Sequence, residues 1–153
     1  MTRYRWFAFG RSDDGQSLVE AAIAVPVLLL IVIGIIDIGS YAYTGIEIAS
    51  GARAGVLYGS HDPGTEASRD GMDAHALANS PDVKPSPSAT ATAFCVCADG
   101  TASSCSSGDC TSSHRLDYVQ VTESVQVSPA IPFPGIPNPL PTIVRVAIQQ
   151  VSP

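Results

Sequence analysis

Gly15-Gln16-Ser17-Leu18-Val19-Glu20, followed at once by the apolar run Ala21 to Ile36, decides how the rest of this chain is read. In order it holds a small residue, a short polar spacer, one carboxylate and a hydrophobic helix. The sixteen residues of the run, at about 1.5 Å each, make roughly 24 Å of helix. A bilayer core is roughly 30 Å thick. The deficit closes if Leu18 and Val19 on one side and Ile38 to Ala42 on the other are drawn in. Asp37 then falls near the far interface, where a carboxylate reaches water. Glu20 falls where lipid begins, and an ionisable group placed there is costly enough to mark function by default.

Three readings fit the segment. It suits a plain transmembrane anchor. It also suits a removable secretory signal, because Ser40-Tyr41-Ala42 offers small residues at the spacing signal peptidase uses. That leader would be 42 residues long, however, with Asp37 interrupting the approach to the cut. The third reading is a prepilin: a short basic leader, Met1 to Gly15, is removed on the cytoplasmic side and Gln16 becomes the mature N-terminus. Glu20 is then the fifth mature residue.

The run Val19-Glu20-Ala21-Ala22-Ile23-Ala24-Val25-Pro26-Val27-Leu28-Leu29-Leu30, closing with Gly34-Ile35-Ile36-Asp37-Ile38-Gly39, favours the third. It resembles the N-terminal signature of the TadE-like minor pilins of tight-adherence (Flp) type IV pilus systems. In that family a Val-Glu pair precedes small residues, a Pro, an aliphatic block, an acidic residue and a Gly. A Pro-rich C-terminal portion resembles the family more weakly. One departure is Ala21, where the family often has an aromatic and the major Flp pilins have Tyr. The length also sets the chain apart from major pilins, which are far smaller. The resemblance implies a prepilin peptidase acting between Gly15 and Gln16. It further implies an assembly carboxylate at Glu20, paired with the new amine of Gln16 on a neighbouring subunit. The partners it implies are other pilins and the pilus assembly machinery of the bacterial inner membrane.

Charge distribution gives an orientation. Arg3, Arg5 and Arg11 precede the apolar run, and only five basic residues follow it in a chain of 153 with net charge −6. The positive-inside bias puts the N-terminus in the cytoplasm and the bulk in the periplasm or beyond. An acidic exterior with a single lysine, Lys84, gives no electrostatic footprint for nucleic acid. The segments expected are a leader over 1–15, a transmembrane helix over 16–42, its extension over 43–58, a short helix and linker over 59–88, and a Cys-containing β domain over 89–153. Pro26 is tolerated in a lipid-embedded helix, with a kink, because neighbouring groups can satisfy the freed carbonyl.

After Asp37 the helix turns small and amphipathic, from Gly39 and Ser40 to Ala54 and Gly55, and small residues at spacings of three and four let helices approach closely. Tyr41, Ile46, Ile48, Val56, Leu57 and Tyr58 are the residues expected to bury against a soluble domain. A plain Gly-weakened linker is the alternative. Thr65 to Asn79 reads as one short helix with Thr65 as N-cap, and Ser80 to Ser88 as a stiff Pro-rich linker. Ala89 to Cys97 and Leu116 to Val127 alternate as strands do. Val119, Val121, Val125 and Val127 share a face that Glu123 interrupts, which suggests a bulge or an edge position. Six prolines between Ser128 and Pro141 forbid ladder pairing, and the interleaved Ile131, Phe133, Ile136 and Leu140 call for cover by the core or a partner. Thr142 to Val151 is a last strand. The fold expected is α+β and pilin-like, a long helix leading into a small antiparallel sheet.

Cys95, Cys97, Cys105 and Cys110 fall inside 16 residues, in a Gly/Ser-rich setting on the oxidising side, which points to disulfides. Cys95 and Cys97 are awkward partners for each other at i, i+2. Either 95–105 with 97–110, or 95–110 with 97–105, remains open. A similar cysteine pattern occurs in some TadE-like chains. Four-cysteine zinc sites have pairs with two to four residues between ligands, unlike the Cys-x-Cys spacing here. His75 with Asp73 and His114 with Asp117 are the only base–orienter candidates, and solvated surface histidines are the simpler reading. No catalytic motif is present, so neither an enzyme nor a cofactor is expected. The alternative class is a single-pass, membrane-anchored periplasmic binding module unrelated to pili, using the Pro-rich loop.

Overall fold

The computed structural model describes residues 14–61, 63–106, 109–132 and 135–151. Most of the expected leader lies outside them. Helix α1 runs Asp14–Gly59, with Pro26 inside it. The chain divides after Ile36 into two compact units, each treated by itself.

In the first unit the helix has no buried face. Leu18, Ile23, Leu28, Ile31 and Ile35 are all more than half exposed. Its apolar window, with mean hydropathy 2.8, has the length and composition of a membrane span, and none of that window is buried.

In the second unit the same helix has a single stripe. Gly45, Ile48, Ala52, Val56 and Gly59 are buried, at steps of three or four residues that keep to one face. Ile46 and Leu57 were expected to bury and do not; they are 68 % and 62 % exposed. They lie off the stripe, whose position is set by glycines rather than by the largest apolar residues. A Cβ on Gly51 would come within 2.8 Å of the Ala76 carbonyl, and one on Gly55 within 2.8 Å of the Met72 carbonyl. The small residues therefore serve close contact with the chain's own second helical segment. The helix closes with Ser60 N–H on the Val56 carbonyl at 2.8 Å and the Ser60 hydroxyl on the Leu57 carbonyl.

The expected single helix over Thr65–Asn79 is broken. A turn of helix, α2 (Pro63–Glu66), precedes α3 (Arg69–Ala78). Thr65 does not cap it; its hydroxyl donates to the Gly59 carbonyl. Met72 and Ala76 of α3 are fully buried. The segment read as a linker is partly core, since Ser80 and Val83 are 2 % exposed.

The sheet is antiparallel with strand order β2-β1-β3-β4. Its strands are β1 (Ser88–Cys97), β2 (Ala102–Ser103), β3 (Arg115–Val125) and β4 (Ile143–Gln150). Val119, Val121, Glu123 and Val125 of β3 point inward as the alternation predicts. Glu123 forms neither a bulge nor an edge. β3 is an interior strand, and Glu123 pairs in unbroken register with Ala89 on one side and Arg145 on the other. Against the sheet's inner face, one cluster joins Ala52, Val56, Met72, Ala76, Ala91, Val119 and Val121. A second joins Ile48, Val83, Val125, Val127 and Ile143. Burying a residue such as Ile48 contributes about 1.5–3 kcal/mol.

Candidate functional site

Gly15 and Gln16 lie at the start of α1, and Glu20 follows one turn after Gln16, on the same face. Glu20 is exposed. It lies directly before an apolar segment whose side chains pack on nothing in their own unit. A carboxylate in that setting can be solvated at the edge of the apolar segment or can accept a cation.

The cysteines are brought together as two disulfides, Cys95–Cys105 and Cys97–Cys110, with Cα–Cα separations of 5.2 and 5.5 Å. This is one of the two pairings the spacing allows. Cys95 and Cys97 are buried under the inner face of β1, so the bridges fasten a polar loop to the core. Carboxylates complete the fastening. Asp99 accepts the Thr101 N–H at 3.0 Å, and Asp109 accepts the Ser104 N–H at 2.7 Å. Hydrogen bonds from the Thr101 and Ser104 hydroxyls, and after them these backbone N–H groups, hold the two aspartates below the usual carboxylate range.

The histidine–aspartate pairs are not formed. His75 stacks on Tyr58 with ring centroids 4.3 Å apart, and Asp117 is engaged by Arg115 at 2.7 Å. Among the described residues no cluster of three His, Cys, Asp or Glu side chains could hold a metal. An open groove of about 560 Å3 separates α1 from β4, with Arg53, Leu57, Arg145 and Ile148 among its lining. Arg145 is already committed there, donating from Nε to the Gly45 carbonyl.

Two arrangements were missed in the sequence. Asp37 accepts the Ala130 N–H at 2.9 Å, and the Tyr41 hydroxyl donates to the Pro141 carbonyl at 3.3 Å. Together they tie both ends of the Pro-rich segment to α1. No local sequence pattern signals ties between residues this far apart in the chain. The other arrangement is Glu123, with 0 % exposure, which accepts from the Ser80 hydroxyl. Its second oxygen, Oε2, has no hydrogen-bond partner among the described residues. Burial pushes this carboxyl up, and the Ser80 hydrogen bond opposes it only in part.

Compared with known families, residues 15–57 match the family model described as TadE-like protein. The chain is similar to that family through this segment. The match begins at the glycine ahead of the spacer and ends near the close of α1, so it takes in Gly15, Gln16, Glu20 and Pro26 and leaves the sheet outside it. No curated protein and no solved structure matches the chain.

Proposed function

We propose that this TadE-like protein is a minor pilin or pseudopilin, cut between Gly15 and Gln16 by a prepilin peptidase. In this reading α1 holds it in the bacterial inner membrane, with the N-terminus cytoplasmic and the sheet domain outside, until a neighbouring pilin engages it. The observation that carries the proposal is Glu20, an exposed carboxylate at the head of an exposed apolar helix, inside the stretch the family model matches. Cleavage creates an amine on Gln16, and between staggered helices that amine can neutralise Glu20 of a neighbour as the subunit leaves lipid. The protein then acts through contacts and not through catalysis.

Intact-mass measurement of membrane-extracted protein tests the processing. Loss of Met1 to Gly15 is expected when the peptidase is present, and Gly15→Leu should leave the precursor whole. A mature chain beginning at Tyr43 would instead assign the segment to secretion.

A further inference from the structure

The Pro-rich segment is fastened more firmly than a linker needs. Asp37 and Tyr41, one turn apart on α1, bind it at Ala130 and Pro141. The Leu140 N–H donates to the Val127 carbonyl at 2.9 Å and closes the neck of the loop. Leu140 also packs with Tyr41 against the second core cluster. From Ser128 to Thr142 there is no charged side chain. Yet Ile131 and Ile136 remain 45 % and 41 % exposed. A loop that is tied at its base, uncharged, and still presents isoleucines outward is built to meet something apolar.

What it meets follows from Asp37, the first charged residue after the apolar run. This step rests on the membrane reading of α1 proposed above. If the run crosses a bilayer, Asp37 stands where hydrocarbon gives way to headgroups, and an amide 2.9 Å from its carboxylate stands at the same depth. The neighbouring residue types suit that depth. Tyr41 and Lys84 line a pocket of about 150 Å3 with Asp37, Ser128 and Ala130. A phenol and an ammonium group on an aliphatic stem are the groups that settle at headgroup level. The prolines suit it as well, because each removes a backbone N–H that lipid could not satisfy.

We infer that the Pro-rich loop is a membrane-contact element. Ile131 and Ile136 enter the headgroup and upper acyl layer of the leaflet from which α1 emerges, and Lys84 faces the lipid phosphates. The sheet domain is thereby held at a set height on the membrane surface before assembly.

The test uses full-length protein in vesicles of phosphatidylethanolamine and phosphatidylglycerol containing brominated lipid. The single native tryptophan, Trp6, is replaced by phenylalanine. Three reporters are then compared: Ile136→Trp in the loop, Leu28→Trp in the helix, and Thr122→Trp on the outer face of the sheet. Ile136→Trp should emit at shorter wavelength than Thr122→Trp and lose most of its emission to bromines placed high on the acyl chain. Leu28→Trp should respond most to bromines placed deep, and Thr122→Trp to neither. Ile131→Trp repeats the loop measurement at a second exposed site, in case one variant folds poorly. If Leu28→Trp is quenched while both loop reporters behave like Thr122→Trp, the loop lies in water and the inference is overturned while the membrane reading stands. If Leu28→Trp is not quenched either, the membrane reading falls and takes the loop with it.

Discussion

The two halves of α1 belong to one continuous helix and do opposite things. Before Asp37, large aliphatic side chains cover every side and pack on nothing within their unit. After it, glycines, Ala52, Ile48 and Val56 form one stripe, and the sheet and α3 pack on that side. A helix that is apolar all round offers no preferred neighbour, so its partner is a solvent or a bundle. A helix with a stripe of small residues specifies its neighbour atom by atom. Contact with other subunits is therefore expected of the first half, and stability of the domain is expected of the second.

Separating those two roles is the sharpest way to break the comparison. Glu20→Ala should abolish piliation, or contact with a partner pilin, while insertion, cleavage and the thermal melt of the domain stay as they were. Glu20→Asp should be milder. Normal pili on Glu20→Ala cells would reduce the carboxylate to an interfacial marker and return the first half to a plain anchor.

Glycine substitutions probe the same contrast through stability. A Cβ on Gly51 would meet Glu123 and the Ala76 carbonyl, whereas one on Gly34 meets nothing within 4 Å. In detergent, Gly51→Ala should lower unfolding free energy by about 1–3 kcal/mol through overpacking. Gly34→Ala should be neutral, or should raise helix stability by about 0.5–1 kcal/mol. Equal effects at both positions would mean that the halves do not differ in packing.

Reduction of the disulfides touches only the second unit. The bridges close separations of 10 and 13 residues, and each contributes about 2–3 kcal/mol. Thiol titration of exported protein should find none free. Reduction should speed proteolysis between Ser103 and Asp109 without releasing protein from the membrane.

The smallest effect concerns Glu123. Its folded-state pKa is raised by burial, so the folded protein holds this proton more tightly than the unfolded chain. The associated stability is present at and below the ordinary carboxylate range and is lost as pH rises through the folded value. Glu123→Gln keeps an acceptor for Ser80 and should flatten that part of the stability–pH curve. At neutral pH it should leave the domain more stable by on the order of 1 kcal/mol. An unchanged slope would mean that another group titrates there.

The architecture was legible where one periodicity dominates. The inward row of β3 could be read directly, and so could the α+β order, strands β1, β3 and β4 and the presence of disulfides, though not β2 or which cysteines pair. Glu123 was read correctly as facing inward and wrongly as a defect. Its partner Ser80 is 43 residues away, in a segment whose prolines suggest a linker. Ile46 and Leu57 misled because hydrophobicity ranks residues by size. The buried face is chosen instead by where Gly51 and Gly55 allow backbone to approach backbone. The Asp37 and Tyr41 ties span 93 and 100 residues, a separation no local pattern encodes. Glu20 stood out because its position is physically odd, and no partner needed to be known for that.

Those long spans also set an order of events. A chain emerges from the ribosome N-terminus first, and contacts this distant in sequence form late. The stretch Asp37–Gly59 must therefore wait, its stripe uncovered, until β3 and then β4 arrive to close over it. Arg145, which reaches Gly45, follows it by 100 residues, and Ile143 packs there as well. Completion of the domain thus reports that the chain has been delivered through β4, and a copy truncated before β4 would keep a sticky, unfinished helix where a finished subunit shows a sheet.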